Sequence, residues 1–181
     1  MRARACLIGV GLLALAGCGQ EAPAEPADIP PPTFADMPAA SAGGACELLD
    51  FAAVRAAVGV PFDVSGATAV QGTRSCVLRS AAGALPDLAL SVAETEADPA
   101  IFRATAVPRG GRKLDGLGQA AYQTTSAPAK GRPATAEVGW LSQDHQLFTV
   151  RYSGTPTDDR AATERLIPGL VSLAKQIDAR S

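Results

Sequence analysis

Residues 135–152 read TAEVGWLSQDHQLFTVRY, two runs of period two separated by a polar turn. In Thr135–Leu141 the side chains of Val138 and Trp140 fall on one face, and in Gln146–Tyr152 those of Phe148, Val150 and Tyr152 do. Successive side chains of a strand point to opposite faces, so each run predicts a strand with one apolar side. Ser142-Gln143-Asp144-His145 then forms a solvated turn, and His145 belongs to it rather than to a catalytic set. One-face alternation is the mark of antiparallel sheets with one side packed and the other open.

The same pattern extends outward in both directions. Leu88, Leu90 and Val92 alternate in a strand read as Asp87–Thr95, preceded by β-prone runs over Phe62–Val70 and Ser75–Arg79 and followed later by Gln119–Thr125. In CELLDFAAVRAAVG, residues 46–59, the positions Leu48, Leu49, Phe51, Ala52, Val54, Ala57 and Val58 recur at helical spacing until Gly59 and Pro61 stop them. Asp98-Pro99 introduces a short helical piece over Ala100–Thr105. A C-terminal helix is expected with Thr157 as its cap, Asp158 and Asp159 in its first turn, and Lys175 and Arg180 near its far end. Its stripe is Leu166, Leu170, Leu173, Ala174 and Ile177. Pro168 interrupts it. Inside a helix a proline costs about 3 kcal/mol, so this residue either kinks the helix or begins a second one. The element order predicts an α+β fold, an antiparallel sheet of about five or six strands covered on one face by an N-terminal and a C-terminal helix.

The N-terminus carries a different signal. Arg2 and Arg4 precede an unbroken apolar run of 12 residues, Cys6–Gly17. That is short for a helix crossing a hydrocarbon core of about 30 Å, but it suits a leader peptide. The run ends in Leu15-Ala16-Gly17-Cys18, which resembles the bacterial lipobox. The resemblance implies cleavage before Cys18 and acylation of that residue, with each buried methylene contributing about 0.8 kcal/mol to anchoring. From Gly19 to Gly44 the chain holds six prolines, four acids and no base, too little apolar surface to fold. The expected organisation is a leader over 1–17, a lipidated Cys18 and disordered tether over 18–44, and a single α+β domain over 45–181.

Of four cysteines, Cys6 leaves with the leader and Cys18 takes lipid, so Cys46 and Cys76 remain. An even remainder in an exported chain suggests a disulfide, and closing that loop would stabilise the fold by about 3 to 4 kcal/mol. The alternatives are two buried thiols or half of a metal site, but zinc wants about four ligands and the chain offers besides these only the distant His145.

Residues 45–181 carry 14 bases and 14 acids, a neutral domain with no footprint for nucleic acid. Arg103, Arg109, Arg112 and Lys113 lie in an acid-free stretch between Pro99 and Leu114 and are candidates for contact with an anionic surface. Glu94, Glu96 and Asp98 are the candidate carboxylate cluster. Gly116-Leu117-Gly118-Gln119-Ala120-Ala121 fits a dinucleotide fingerprint, but β-prone residues follow where a helix is required, so the glycines read as a turn feeding a strand. No Gly-x-Ser-x-Gly elbow occurs, and neither a catalytic residue, a metal nor a cofactor is assigned.

Taken together, the lipobox and tether, Cys46-Glu47-Leu48-Leu49, Cys76 some 30 residues on, Gly116-Leu117-Gly118-Gln119-Ala120-Ala121-Tyr122 and the closing amphipathic helix resemble a family of actinobacterial lipoproteins classed as a domain of unknown function. Cys76 is followed here by Val77-Leu78, without the aromatic residue often found there. The resemblance implies an α+β domain on the outer face of a membrane, or on the outer membrane of a two-membrane cell. The expected function is a membrane-anchored, non-catalytic binding or adaptor lipoprotein of the cell envelope, its partners being the membrane through Cys18 and an envelope protein or lipid. A small-molecule or lipid carrier with an apolar cavity is the alternative, and an envelope hydrolase ranks last.

Overall fold

The computed structural model describes residues 38–181. Two 3-10 turns, Ala39–Ala42 and Gly44–Leu48, lead into helix α1 (Phe51–Val58). Strands β1 (Val64–Val70), β2 (Thr73–Ser80) and β3 (Gly83–Glu94) follow, then helix α2 (Pro99–Thr105). A second strand group comprises β4 (Arg112–Leu114), β5 (Ala120–Ser126), β6 (Thr135–Leu141) and β7 (Gln146–Ser153), and α3 (Arg160–Glu164) and α4 (Ile167–Asp178) close the chain. The seven strands form one antiparallel sheet in the order β1-β2-β3-β7-β6-β5-β4. It consists of two meanders joined at its centre, where β3 pairs with β7 through Leu88↔Tyr152, Leu90↔Val150 and Val92↔Phe148.

The α+β class agrees with the sequence reading, but the sheet has one strand more than expected. Strand β4 spans three residues, two of them Arg112 and Lys113, too few and too charged to show a period. The expected strand at Asp87 begins earlier, at Gly83. Pro86 hides this start in the sequence. It sits where the β2–β3 register shifts, between the pairs Arg79↔Asp87 and Ser80↔Gly83, so its missing N–H removes no ladder bond.

Both terminal helices are divided, the first where a single helix was expected and the last at Pro168, where a second helix was one of the two expected outcomes. Residues 44–48 form a 3-10 turn, and α1 starts only after Asp50, whose carboxylate accepts from the Ala53 N–H at 2.9 Å. An acceptor side chain there satisfies a donor that the first turn leaves orphaned, which makes Asp50 a start and not a mid-helix residue. At the other end Asp159, not Thr157, is the cap: it accepts from Ala162 N–H and begins α3. Pro168 opens a second helix, α4, in the first turn, where its missing donor costs nothing. The expected tether boundary also moves. Ala39 is buried and its carbonyl accepts from Ser65 Oγ at 3.2 Å, so Ala39, expected in the tether, is packed against the domain.

Helices α1 and α4 and the second 3-10 turn cover one face of the sheet. There Leu78, Leu88, Leu90, Val92, Val138 and Val150 meet Leu170, Leu173 and Ile177 of α4 in one buried cluster. Trp140 stacks on Phe148 at 4.8 Å, and its indole N–H donates to Asp178 at 2.9 Å, so the largest buried side chain leaves no donor unpaired. Helices α1 and α4 cross closely at Gly169, where a Cβ would run into the Ala57 backbone. The expectation that helices cover one face only is corrected by α2. Its Phe102 packs on the opposite face with Ala120, Tyr122 and Leu141. Strands β5 and β6 bear apolar residues on both faces at that end, which supplies the second, smaller core.

Candidate functional site

Cys46 and Cys76 form a disulfide with Cα atoms 4.9 Å apart, both fully buried. It ties the 3-10 turn before α1 to the middle of β2. Cys18, the candidate lipid attachment residue, lies outside the described residues. No helix among the described residues is long and apolar enough to cross a membrane.

The four candidate cations do not form one surface. Arg112 and Lys113 are neighbours in β4 and therefore project to opposite sides of the sheet. Lys113 shares a small cleft with Arg103 of α2 and is paired with Asp115 at 2.7 Å. Arg109 stands in the turn after α2. The carboxylates separate too: Asp98 caps α2 through Ala100 and Ile101, while Glu94 and Glu96 share an open cleft with Asp144 and His145. Among the described residues no three such side chains approach closely enough to hold a metal ion. His145 is exposed in the β6–β7 turn, with positive φ, as a solvated turn residue. Gly116 and Gly118 both take left-handed φ in the turn that feeds β5, as the sequence reading had it.

What the structure adds is a polar cluster on the face opposite α1 and α4. Cross-strand register carries Thr68, Ser75, Ser91, Thr149, Gly139 and Tyr122 into one row, running from β1 through β2, β3, β7 and β6 to β5. The next row contains Gly66, Val77, Ala89, Arg151 and Glu137. The Tyr122 ring lies on Gly139, where any Cβ would overlap it. Its hydroxyl donates to Glu137 Oε1 at 2.7 Å, and Glu137 Oε2 faces Arg151 Nε at 3.8 Å. Burial pushes the Tyr122 phenol far above its usual range; the Glu137 carboxylate, which accepts its hydrogen bond and would repel a phenolate, pushes it further. Tyr122 is thus a fixed hydrogen-bond donor and not a base.

Beside this cluster the β5–β6 loop closes over a cleft of about 170 Å³ lined by Arg132, Arg151, Ser126, Thr135 and Ser153 among others. Over the β1, β2 and β3 part of the same face no helix packs, and side chains there are small: Ala89, Ser91 and Ala93 on β3, Ser75 and Val77 on β2, with Ser75 and Ser91 sharing a hydroxyl bond at 3.2 Å. Sequence reasoning missed this surface. Its one available signal was the pairing of small and hydroxylated residues at the outward positions of successive strands. No family model, curated protein or solved structure matches the chain.

Proposed function

We propose that this chain is an exported envelope protein, anchored by lipid at Cys18, whose domain binds a partner without catalysis through the helix-free part of its sheet. The carrying observation is that open surface. A stretch of sheet lined by Ala89, Ser91, Ala93, Ser75 and Val77 is only half-buried, and its bulkier side chains, Arg79, Val64 and Val70, stand at its margins. The Cys46–Cys76 disulfide supports export, because such bonds persist in oxidising compartments. The lipobox resemblance at Leu15–Cys18 supports the anchor.

The carrier reading needs apolar space between helices and sheet. That layer is filled by Trp140, Phe148, Leu90, Leu170, Leu173 and Ile177, all 2% exposed or less. Hydrolysis needs a nucleophile beside a base, and the Tyr122–Glu137–Arg151 cluster keeps its phenol protonated.

The test uses the full chain in native membranes, with a photo-crosslinking residue at Ser91 or Thr149, on the open face, or at exposed Ala179 beyond α4 as a control. Discrete adducts from the two open-face positions and none from Ala179 are expected. Adducts confined to Ala179 would refute the surface assignment. In the same membranes Cys18→Ala should release the chain into the aqueous phase on detergent partitioning.

A further inference from the structure

The two edges of the sheet differ in how they are protected. Strand β4 is three residues long and carries Arg112 and Lys113, two of the usual devices against unwanted pairing. Strand β1, Val64-Ser65-Gly66-Ala67-Thr68-Ala69-Val70, has seven residues, no charge and no proline. Its register with β2 runs without a bulge from Val64↔Arg79 to Val70↔Thr73. Among the described residues no backbone hydrogen bond reaches β1 from the side away from β2. Six of its seven residues are exposed. Of the three large apolar side chains exposed among the described residues, Val64 at 37% and Val70 at 63% mark its two ends.

We propose that β1 is a pairing edge whose occupant is β1 of a second copy of this chain, antiparallel and centred on Ala67. The strand is self-complementary in that register. Val64 faces Val70 twice, Ser65 faces Ala69, Gly66 faces Thr68 and Ala67 faces itself. Both valines project to the helix-free face, since strand positions of equal parity share a side. Each covers the other. No like charges oppose one another, and the flanking Asp63 meets Gln71. The chain's own N-terminal segment is the nearest rival, because Ala39 lies beside Ser65. Between Gly19 and Pro38 its longest proline-free stretch is Thr33–Met37, too short to supply donors along seven residues.

Seven residues a side fall well short of the roughly 20 to 30 a side of a stable interface, so the pairing is weak in dilute solution. Anchoring raises the local concentration, and to that extent the pairing rests on the lipid proposed at Cys18.

The experiment places single cysteines in the full chain and oxidises isolated membranes, after blotting the membrane fraction so that loss of anchoring is read separately from loss of pairing. Ala67→Cys should give a disulfide-linked dimer. Gly66→Cys and Thr68→Cys alone should stay monomeric, yet cross-link when co-expressed. Adding Val70→Lys to Ala67→Cys sets a lysine against each Val64 and should cut the dimer by roughly tenfold or more. Peptide mapping that finds Cys46 joined to Cys76, and not to the new cysteine, verifies that each variant is folded, a check needed most at position 67, which faces Cys76 in register. A folded Ala67→Cys chain without dimer overturns the proposal, as do equal yields at 66, 67 and 68. Cross-linking to another protein would overturn it in favour of a foreign strand.

Discussion

Along β3, Leu88, Leu90 and Val92 face α4 and the disulfide-clamped turn, while their neighbours Asp87, Ala89, Ser91 and Ala93 face away from them. One residue of translation thus separates the two surfaces of the molecule. The packed side fixes register, because a slip by one would drive Asp87 and Ser91 into the core and expose three large apolar groups. Once register is held there, the β1, β2 and β3 part of the other side is released from that duty, while at β5 and β6 the same side carries the second, smaller core. The middle of that side is lined by small or hydroxylated residues, and the ion pairs on it are loose: Arg79 to Asp87 at 4.0 Å and Arg151 to Glu137 at 3.8 Å, with both guanidinium side chains about half exposed. Pairs of that kind contribute about 0 to 1 kcal/mol. Stability sits on one face and availability on the other.

The sharpest way to break this comparison is Leu90→Ala. Leu90 is fully buried, so the variant loses both transfer free energy and packing, and about 2 to 5 kcal/mol of unfolding free energy should disappear in a urea titration. A loss below 1 kcal/mol would mean that the helix-covered face does not carry the fold.

The alternation behind that expectation was legible because β3, β6 and β7 are each half-buried, and half-burial is what writes period two into a sequence. The same logic explains the failures. At its far end β6 is buried on both faces, under α4 at Trp140 and under α2 at Leu141, so the pattern flattens and the position of α2 cannot be read. Strand β4 is too short for any period. Asp50 and Asp159 were visible as residues, but a cap is distinguished from a first-turn acid by backbone geometry. The polar cluster was hidden for a topological reason. Arg151 and Glu137 are adjacent through β7 and β6, and Ser91 joins the neighbouring row only because β7 inserts beside β3, a pairing between strands distant in sequence.

Tyr122→Phe probes the boundary, where the small second core meets the open face. The ring still packs on Phe102 and Gly139, but the bond to Glu137 is lost, and about 1 to 3 kcal/mol should go with it because the acceptor is charged. The pH dependence carries a sign. Folding raises the Tyr122 phenol above its unfolded value near 10, chiefly through burial, so above that pH the unfolded chain sheds a proton that the native chain keeps. This contribution is complete below pH 10 and declines as the pH rises further. Urea midpoints taken from pH 7 to 11 should therefore fall at the alkaline end, and fall less steeply in Tyr122→Phe. Tyr152, also raised, mainly by burial, retains its own share of the slope. A variant with the wild-type alkaline slope would show that the phenol does not titrate with unfolding.

The smallest effect on stability is expected one residue from the largest. Ser91 stands beside Leu90 on the same strand, but its hydroxyl meets only Ser75 at 3.2 Å, on a face that water reaches. Replacing it by Ala removes one neutral hydrogen bond whose partner can turn to solvent, so the urea midpoint should shift by no more than the equivalent of about 0.5 kcal/mol. Replacing it by Arg adds bulk and charge to the same flat surface without entering the core, and the fold should again hold within about that range. Binding is the quantity that should separate the two. Ala preserves the flatness and Arg destroys it, so partner capture from native membranes should survive Ser91→Ala and fail with Ser91→Arg. If both variants fold like the parent and capture equally well, the open face is spare surface, and the binding site must lie at the β1 edge or in the Arg132–Arg151 cleft.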